Sequence, residues 1–512
     1  MNTTYPKHLN HQNLLTAKRF FWTALCVTFV LKLYLAHIVP ITGDEAEYVY
    51  WGQHLSWGYY DHPPMIAWIL HFISTISLSN IWLRMPQILV SSIIGCCIYT
   101  SLGSFDHEKA YLVAALYLLS PVSIFAQGIL TDTPLMLFSF LAINSLFLAV
   151  KNDKTHHYVL SGLFIGAAFF SKYLMFPIAL GMLLFFVFSL SDKNKWRNFF
   201  LLIIFSLPFV IQNLTWNYSH DWVNLLFNLD LRNVHDKFEL RKPLLYVVST
   251  IYLYSPLVFY YSVKNLKPFY LLLKTKSPFN IFIISAFTTI LFYAALSILK
   301  RIGLHWTFAA YPFLFMSLFA VLNARKIKKC LHFMLFYCLI QFIAVVILFS
   351  IPLSFWKKTS YFHTVNWFLN YQKVVPSIKP YLDKGFVLAT PSYAQSYLLA
   401  YKGKFPAAVW GVGSVHGRQD DLSTDFKKLN HKNFIIVDIR EKITTGNIKP
   451  YFKKFAIKYD SLFGMPYRVI LGYDFDYSAY RKIILKGIYD KYYQIPSFFP
   501  RSLEFYKAKY NL

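Results

Sequence analysis

Long runs of apolar residues recur through the first 355 residues of this 512-residue chain. Phe20–Pro40, Ile81–Leu102, Leu135–Val150 and Cys330–Phe355 are examples, and each is close to the ~20 residues that cross a hydrocarbon core. The chain is 56% hydrophobic and only 15% charged, whereas soluble globular chains carry about 25% charged residues. The runs therefore predict a polytopic α-helical membrane protein.

The apolar runs also predict where the chain crosses the membrane. The segment 63–79 is a further apolar stretch, but it is short and opens with Pro63-Pro64. The predicted spans are 20–39, 81–103, 109–127, 132–150, 157–171, 173–190, 198–215, 243–263, 279–299, 305–323 and 330–355.

The distribution of lysine and arginine orients these spans. Lys18 and Arg19 precede the first span, which we interpret as an uncleaved signal anchor with its N-terminus inside. If 63–79 lies at the interface, the basic clusters between later spans fall inside, and the outer loop 40–80 holds no lysine or arginine. A crossing by 63–79 would place those clusters outside, so we predict that it does not cross. The segments predicted on the outer face are 40–80, 131–132, 216–242, 300–305 and the C-terminal region.

The composition changes to mixed polar, aromatic and basic from Lys357 onward. We therefore predict a transmembrane domain over 1–356, with interfacial helices in 40–80, and a soluble α/β domain over 357–512. Gly385–Thr390 and Asn433–Asp438 have the apolar, turn-bounded pattern of buried strands. Basic residues outnumber acidic ones by 14 in this region, which suits contact with anionic head groups. The basic residues of the chain form short clusters between apolar runs, which favours membrane lipids over nucleic acid as partners.

Four acids in the predicted first outer loop are the main candidates for chemistry: Asp44, Glu45, Glu47 and Asp61. No basic residue in that loop can pair with them, and unpaired charges beside a membrane indicate function. Paired acids can deprotonate an acceptor or hold a divalent cation against a phosphate. We predict Asp44, Asp61 and Glu45 as catalytic, with Asp44 and Asp61 as candidate ligands of a divalent cation. The alternative is capping, with Asp44 and Glu45 in the first turn of an interfacial helix.

Three further residues are candidates for substrate binding. His62 precedes Pro63-Pro64 and would either donate to a phosphate or cap the apolar segment. Asp132 is a further acid at the start of a span, and it also fits an N-cap with Pro134 in the first turn. Lys172 is a lone cation between two short apolar segments, where it would either extend to the interface or contact a phosphate.

Two aromatic and polar clusters complete the predicted binding residues. Lys300, Arg301, His305 and Trp306 form a compact cationic turn, and a leaving phosphate requires such charge neutralisation. Trp216 and His220, with Arg232 beyond them, and the tyrosines Tyr48 and Tyr60 would contact a sugar or acceptor. The alternative for the tryptophans is an interfacial aromatic belt.

Six short motifs occur in the order seen in ArnT-like glycosyltransferases, over about residues 20–355. The chain thus resembles glycosyltransferase family 83, in the wider dolichyl-phosphate-mannose–protein mannosyltransferase superfamily with the GT-C fold. The motifs are Gly43-Asp-Glu-Ala-Glu-Tyr, Trp57-Gly-Tyr-Tyr-Asp-His-Pro-Pro, Leu130-Thr-Asp-Thr-Pro-Leu, Phe170-Ser-Lys-Tyr, Trp216-Asn-Tyr-Ser-His-Asp-Trp and Gly303-Leu-His-Trp.

The resemblance implies an inverting transfer of a sugar, expected to be an amino sugar, from polyprenyl (undecaprenyl) phosphate to lipid A. It implies a multi-pass protein of the bacterial inner membrane, with the active site and C-terminal domain in the periplasm. Asp44 matches the first-loop aspartate of the family. The stretch Asp61–Pro64 departs from the Glu-Lys-Pro-Pro of ArnT itself at His62. In the expected mechanism, Lys172, Arg301 and His62 stabilise the departing phosphate and Asp44 acts on the acceptor.

Other functions remain open from the sequence. The acceptor could be protein or another glycan. A transporter of a lipid-linked substrate would show ionisable residues at mid-membrane depth and repeated halves, whereas the acids here gather at one predicted face. An assembly scaffold would not require unpaired acids.

Overall fold

The chain folds into two compact units, each assembled from separated segments. The computed structural model describes residues 11–190, 193–231, 238–412, 417–440 and 443–512. The helical unit contains the described residues of 1–38, 84–210 and 236–349, and the sheet unit contains those of 39–83, 211–235 and 350–512. The C-terminal region is therefore grouped with the first loop and with 211–235. A domain boundary at 356 stays a prediction.

Among the described residues, seven helices are long and apolar enough to cross a membrane, which confirms the predicted polytopic helical class. The bent pair Arg241–Tyr254 and Pro256–Lys264 would make an eighth crossing. The seven are His11–Ile38, Asn80–Leu102, Asp132–Asn152, Lys195–Ser219, Asn280–Ser297, Leu304–Val321 and Ala324–Ser350. Shorter helices of this part of the chain are His107–Leu118, Pro121–Phe125, Thr155–Ser171, Phe176–Leu184 and Leu266–Leu273.

Two predicted spans are interrupted at Ser-Pro pairs. The predicted span 243–263 is wrong as a single helix, because it bends by 98° at Ser255, whose φ is +77°. Pro256 opens the second helix and excludes helical backbone at the residue before it. The predicted span 109–127 is likewise divided, since Ser120 caps a separate helix that begins at Pro121.

Close approach of two helices in the helical unit depends on small residues. A Cβ atom at Gly162 would lie 2.6 Å from the carbonyl oxygen of Leu202, and one at Gly166 would lie 2.2 Å from the ring of Phe209. The helices Thr155–Ser171 and Lys195–Ser219 can therefore approach only with glycine at these positions, as is common in membrane helix packing.

The sheet unit is built on five strands in the order β2-β1-β3-β5-β4. β1, β2 and β3 are parallel, and β3, β5 and β4 are antiparallel neighbours. β1 and β3 are buried throughout, which is why their sequences are continuous apolar runs, and both predicted strands are confirmed. The strands are β1 Val387–Thr390, β2 Ala407–Val409, β3 Phe434–Asp438, β4 Phe452–Leu462 and β5 Met465–Phe475.

Helices surround this sheet and its attached loops. The segment 63–79 forms the helix Met65–Ile76, whose 12 residues extend only about 18 Å, less than the ~30 Å of a hydrocarbon core. This length supports the prediction that the segment does not cross. The unit's other helices include Gly43–Gln53, Val223–Leu226, Phe362–Asn370, Val375–Leu382, Tyr393–Ala400, Gln419–Ser423, Lys486–Tyr492 and Phe505–Tyr510.

Asp221 holds the C-terminal segment within the sheet unit. Its carboxylate accepts hydrogen bonds from the Ser502 hydroxyl at 2.7 Å and from the backbone N–H groups of Phe505 and Tyr506 at 2.8 Å each. Asp221 is buried and has a φ of +58°, a backbone conformation in which aspartate is enriched.

Replacing Asp221 with alanine should destabilise the sheet unit. The substitution removes three hydrogen bonds to a buried carboxylate, and we expect a loss of about 3 kcal/mol, measured by denaturation of the purified full-length protein. Asp425→Ala is the control, because that aspartate accepts one backbone hydrogen bond at a short helix start, worth about 1 kcal/mol. Equal losses in the two variants would contradict the anchoring role.

Candidate active site

The first-loop helix Gly43–Gln53 begins with a reciprocal cap. The Thr42 hydroxyl accepts from the N–H of Glu45 at 3.2 Å, and the Glu45 carboxylate accepts from the N–H of Thr42 at 2.8 Å. This capping box satisfies two backbone donors that a helix start otherwise leaves unpaired. The capping interpretation is therefore confirmed for Glu45, which is 3% exposed. Its catalytic role stays a prediction.

Asp44 is presented differently from its neighbour. Its side chain is exposed, and the Tyr393 hydroxyl donates to its Oδ1 at 3.1 Å. Burial, and the charge of Asp44 beside it, raise the pKa of Tyr393, so this phenol remains a hydrogen-bond donor. The capping box turns Glu45 inward to the backbone, and Asp44 is left with an oriented carboxylate at the surface of the sheet unit.

Asp44 belongs to an acidic cluster with Glu47, Asp61 and Asp420. Glu47 is 7% exposed, and burial raises its pKa well above the ordinary value, with further contributions from Asp61, Asp44 and Asp420 in that order. Burial also raises the pKa of Asp420 to about 6, against the lowering effect of Arg418. The cluster therefore favours proton retention at Glu47.

Asp61 and His62 lie in a tight turn next to this cluster. His62 Nε2 is 3.7 Å from Asp61 Oδ2, and the His62 carbonyl accepts from the N–H of Tyr59 at 3.1 Å. The Asn228 side-chain amide donates to the Asp61 carbonyl at 3.0 Å. The His62 ring centroid lies 6.0 Å from that of Tyr48. The structure thus places Asp61, His62 and Tyr48 close to one another.

The other predicted aromatic residues of the sheet unit have mainly internal contacts. Tyr60 is 1% exposed, and Trp216 is 6% exposed. His220 stacks on Trp216 with ring centroids 4.3 Å apart and packs against Phe505 at 4.7 Å. Burial lowers the pKa of His220. Substrate contact by these residues stays a prediction, and Arg232 lies outside the described residues.

A second polar group lies in the helical unit around Asp132. Lys172 Nζ is 2.6 Å from Asp132 Oδ2, and both side chains are almost fully buried. His305 Nε2 lies 3.8 Å from the same oxygen. Asp132 Oδ1 has no hydrogen-bond partner among the described residues. Three residues from separate predicted turns therefore meet at one carboxylate.

Two alternatives for this group are corrected by the structure. Asp132 is not the N-cap, because the helix begins at Asp132 itself after Thr131. The Asp132 carboxylate pairs with Lys172. Lys172 does not extend to an interface, since burial and the ion pair hold it inward.

The remaining residues of the predicted cationic turn have different environments. Arg301 is exposed and Lys300 is half-buried. Trp306 is 7% exposed and packs in a small aromatic core with Tyr246 and Tyr293. Arg301 is therefore accessible to solvent, whereas Trp306 is part of the packed interior.

A divalent cation lacks a ligand set in the part of the chain that the structure describes. No group of three or more histidine, cysteine, aspartate or glutamate side chains there is arranged to hold a metal ion. The prediction of Asp44 and Asp61 as metal ligands therefore gains no support from this geometry, and the cation stays a prediction.

Sequence reasoning missed the contribution of the C-terminal region to the acidic cluster. Tyr393 and Asp420 are separated from Asp44 by more than 340 residues, and neither lies in a motif. Asp420 and Asp421 follow Arg418 in the sequence, and Arg418 pairs with Asp421 at 3.0 Å. This short acidic run after an arginine was the one local signal.

Comparisons with known proteins agree with this architecture. Residues 61–216 match the family model described as dolichyl-phosphate-mannose-protein mannosyltransferase. The chain is 25% identical over 222 residues to the lipid A galacturonosyltransferase RgtD of Rhizobium johnstonii, a match covering 42% of this chain and 47% of that relative. The chain thus spans about half the length of this curated relative. The crystal structure of ArnT from Cupriavidus metallidurans in the apo state superimposes with a TM-score of 0.61 at 13% identity, over 89% of this chain and 98% of that one.

The fold is therefore that of a GT-C membrane protein with a small sheet region at its C-terminus. The predicted resemblance to ArnT-like proteins is confirmed. The two matches found by sequence are named as sugar transferases, in agreement with the predicted enzyme class.

Replacing Glu47 with glutamine should stabilise the protein increasingly as the pH rises. A raised pKa means that the folded state holds the proton more tightly than the unfolded chain does. Protonated Glu47 therefore makes its full contribution to the free energy of unfolding below about pH 4.3, the ordinary glutamate pKa. That contribution is lost as the pH rises through the raised pKa of the folded state. The advantage of Glu47→Gln should grow by about 1.4 kcal/mol per pH unit in that window.

Thermal unfolding of both proteins between pH 5 and 8 measures this advantage. Glu504→Gln serves as control, because it removes one carboxylate from a side chain that is 59% exposed. A constant difference between wild type and Glu47→Gln at all pH values would refute the protonated state of Glu47.

Replacing Lys172 with methionine should destabilise the helical unit strongly. The change leaves Asp132 as a buried charge, and we expect a loss of about 3–5 kcal/mol. Adding Asp132→Asn should recover most of it, because the unpaired charge is then removed. Lys379→Met is the control, since it breaks an exposed pair with Asp383 worth about 0–1 kcal/mol. Denaturation in detergent measures the wild type and these three variants, and similar losses for Lys172→Met and Lys379→Met would contradict this account.

Proposed function

We propose that this protein is an inverting glycosyltransferase that moves a sugar from a polyprenyl phosphate to lipid A. The observation that carries the proposal is the exposed, oriented carboxylate of Asp44 in an otherwise inward-turned acidic cluster. The GT-C fold and the sugar-transferase names of the sequence relatives support the reaction class. The orientation proposed from the basic residues puts Asp44 at the periplasmic face of the bacterial inner membrane.

The proposed reaction is a single displacement at the anomeric carbon of the donor sugar. The acceptor oxygen forms a bond to that carbon as the bond to the phosphate oxygen breaks, and the bonding electron pair leaves with the polyprenyl phosphate. For a hydroxyl acceptor, Asp44 takes the proton as general base. For a phosphate acceptor, which is already anionic, Asp44 positions it through the hydrogen-bond network with Tyr393.

Glu47 and Asp61 support the charge state of Asp44 in this proposal. Burial, and then the charges of the neighbouring acids, raise the pKa of Glu47 and favour its protonated form, in which it adds no further anion to the cluster. Asp61 is held by its turn beside His62. We propose that it orients the acceptor rather than attacks the sugar.

The group around Asp132 is proposed to receive the phosphate. Lys172 is fully engaged by Asp132 at 2.6 Å, so it is preorganised in one position. His305 is partly exposed, and Arg301 is exposed. We propose that Arg301 and His305 contact the leaving phosphate and that Lys172 with Asp132 orients His305.

The proposal leaves two candidates for the donor sugar, an amino sugar and a galacturonosyl group. The family resemblance favours an amino sugar, whereas RgtD is named for galacturonosyl transfer. This chain has His62 where the matching stretch of ArnT has lysine, and this difference leaves the donor sugar open. The protein-mannosyltransferase description of the matching family model favours protein as the alternative acceptor.

Replacing Asp44 with asparagine should lower transfer at least ~100-fold, because a general base contributes about 10²–10⁴ to the rate, while expression stays unchanged. Mass spectrometry of lipid A from cells with the wild-type gene, the Asp44→Asn gene and no gene measures transfer. Asp490→Asn is the control, since it removes a carboxylate from an exposed position of the sheet unit.

The mass of the added group identifies the sugar as a hexosamine, a pentosamine or a hexuronic acid. Full addition by Asp44→Asn would refute the role of Asp44. An unchanged lipid A profile in all strains would refute lipid A as acceptor and direct the search to protein or another glycan.

A further inference from the structure

A cavity of about 360 Å³ lies within the sheet unit, at the carboxyl ends of the parallel strands β1 and β3. Pro391 and Ser392 after β1 and Asp438 and Arg440 at the end of β3 form part of its lining. Ligands in α/β sheets bind in the crevice outside the carboxyl ends of parallel strands. The reaction proposed above does not use this cavity.

Arg418 is the first sign that the cavity is built for a ligand. It is 4% exposed, and its Nη2 donates to Asp421 at 3.0 Å. Its Nε and Nη1 have no hydrogen-bond partner among the described residues. Buried guanidinium N–H groups without partners cost about 1–3 kcal/mol or more, so the fold retains donors that a ligand would satisfy.

Trp367 and Gln395 also line the cavity, and each has a buried polar atom without a hydrogen-bond partner among the described residues. These atoms are the Trp367 indole nitrogen, which carries an N–H, and the Gln395 amide oxygen. Trp367 and Phe368 also bring aromatic rings to the cavity. Rings with nearby polar groups are suited to a saccharide, which presents apolar ring faces and hydroxyl edges.

The charge balance of the cavity favours an anion. Asp421 pairs with Arg418, and Asp438 pairs with Arg468 at 2.7 Å. Arg440 is exposed and has no ion pair in the part of the chain that the structure describes. Its guanidinium is therefore the positive charge that remains for a ligand.

The start of the first-loop helix adds to this charge. Thr42 and Gly43 line the cavity, and the helix they open has 11 residues. A helix start carries about half a positive charge, and the capping box satisfies two of the four N–H groups that a helix start leaves without intrahelical partners. A Cβ atom at Gly43 would lie 2.4 Å from the Cβ of Ala394, so glycine is what lets this helix start approach the helix Tyr393–Ala400.

We propose that this cavity binds the phosphorylated saccharide head group of the acceptor lipid. Arg440 and the helix start pair with the phosphate, Arg418 and Gln395 hydrogen-bond to it and the sugar, and Trp367 covers the sugar ring. Tyr393 lines the cavity and donates to Asp44, so a head group bound here lies beside the carboxylate assigned to the acceptor. This inference rests on the proposed function for the identity of the lipid.

Titration of the full-length protein in detergent with glucose 1-phosphate tests the cavity. We expect saturable binding by calorimetry and at least ~10-fold weaker binding in Arg440→Ala, because a charge-assisted contact to phosphate is lost. Arg501→Ala is the matched control, an exposed arginine elsewhere in the same unit, and should bind as wild type does. Trp367→Phe keeps the ring but removes the indole N–H, and it should also weaken binding.

Three outcomes would overturn the inference. Equal affinity in Arg440→Ala and wild type would exclude the cavity as the phosphate site. Equal affinity for inorganic phosphate and glucose 1-phosphate would exclude saccharide recognition. Failure of lipid A vesicles, compared with phosphatidylcholine vesicles, to displace glucose 1-phosphate would exclude the acceptor lipid. Binding is read without turnover, so retained transfer in Asp44→Asn would refute the proposed function and leave this result unaffected.

Discussion

Inside a bilayer the backbone can satisfy its N–H and C=O groups only within the protein, and most of this chain follows from that constraint. It requires helices wherever the sequence is apolar for about 20 residues, and it makes each interruption costly. The interruptions observed at Ser120-Pro121 and Ser255-Pro256 coincide with residues that cap or begin a helix. The same low-polarity surroundings explain why Lys172 and Asp132 are found as a pair: neither charge would be stable there alone.

The sheet unit gives neighbouring acids of the first loop different environments. Glu45 is occupied by the backbone of its own helix start, and Glu47 is buried with a raised pKa. Asp44 remains exposed and receives a hydrogen bond from Tyr393. Three acids within four residues thus acquire three roles through direction and burial. Tyr393 also lines the cavity next to this helix start, so one side chain contacts both the cavity and Asp44.

Much of the fold was predictable, because hydrophobic periodicity and turn residues act locally. The helical class, the strands β1 and β3 and the helix start at Thr42 were all visible as residue patterns. The prediction of 243–263 as one continuous helix was wrong because the chain bends at Ser255-Pro256 despite its apolar sequence. The role of Asp132 as an N-cap was wrong because the helix begins at Asp132 itself, and its carboxylate binds a lysine 40 residues away. Local sequence patterns cannot predict a contact between residues so far apart in the chain.

The sequence by itself determined that the chain is a polytopic membrane protein whose first loop holds acids but no lysine or arginine, since composition and charge distribution set the cost of each segment in lipid. It also determined the family resemblance through short motifs. Only the tertiary structure decided that Asp44 lies exposed against Tyr393 and that Glu47 is buried near Asp420, because Tyr393 and Asp420 come from the far end of the chain. Burial and electrostatic environment are properties of residues brought together by folding, and no local pattern specifies them.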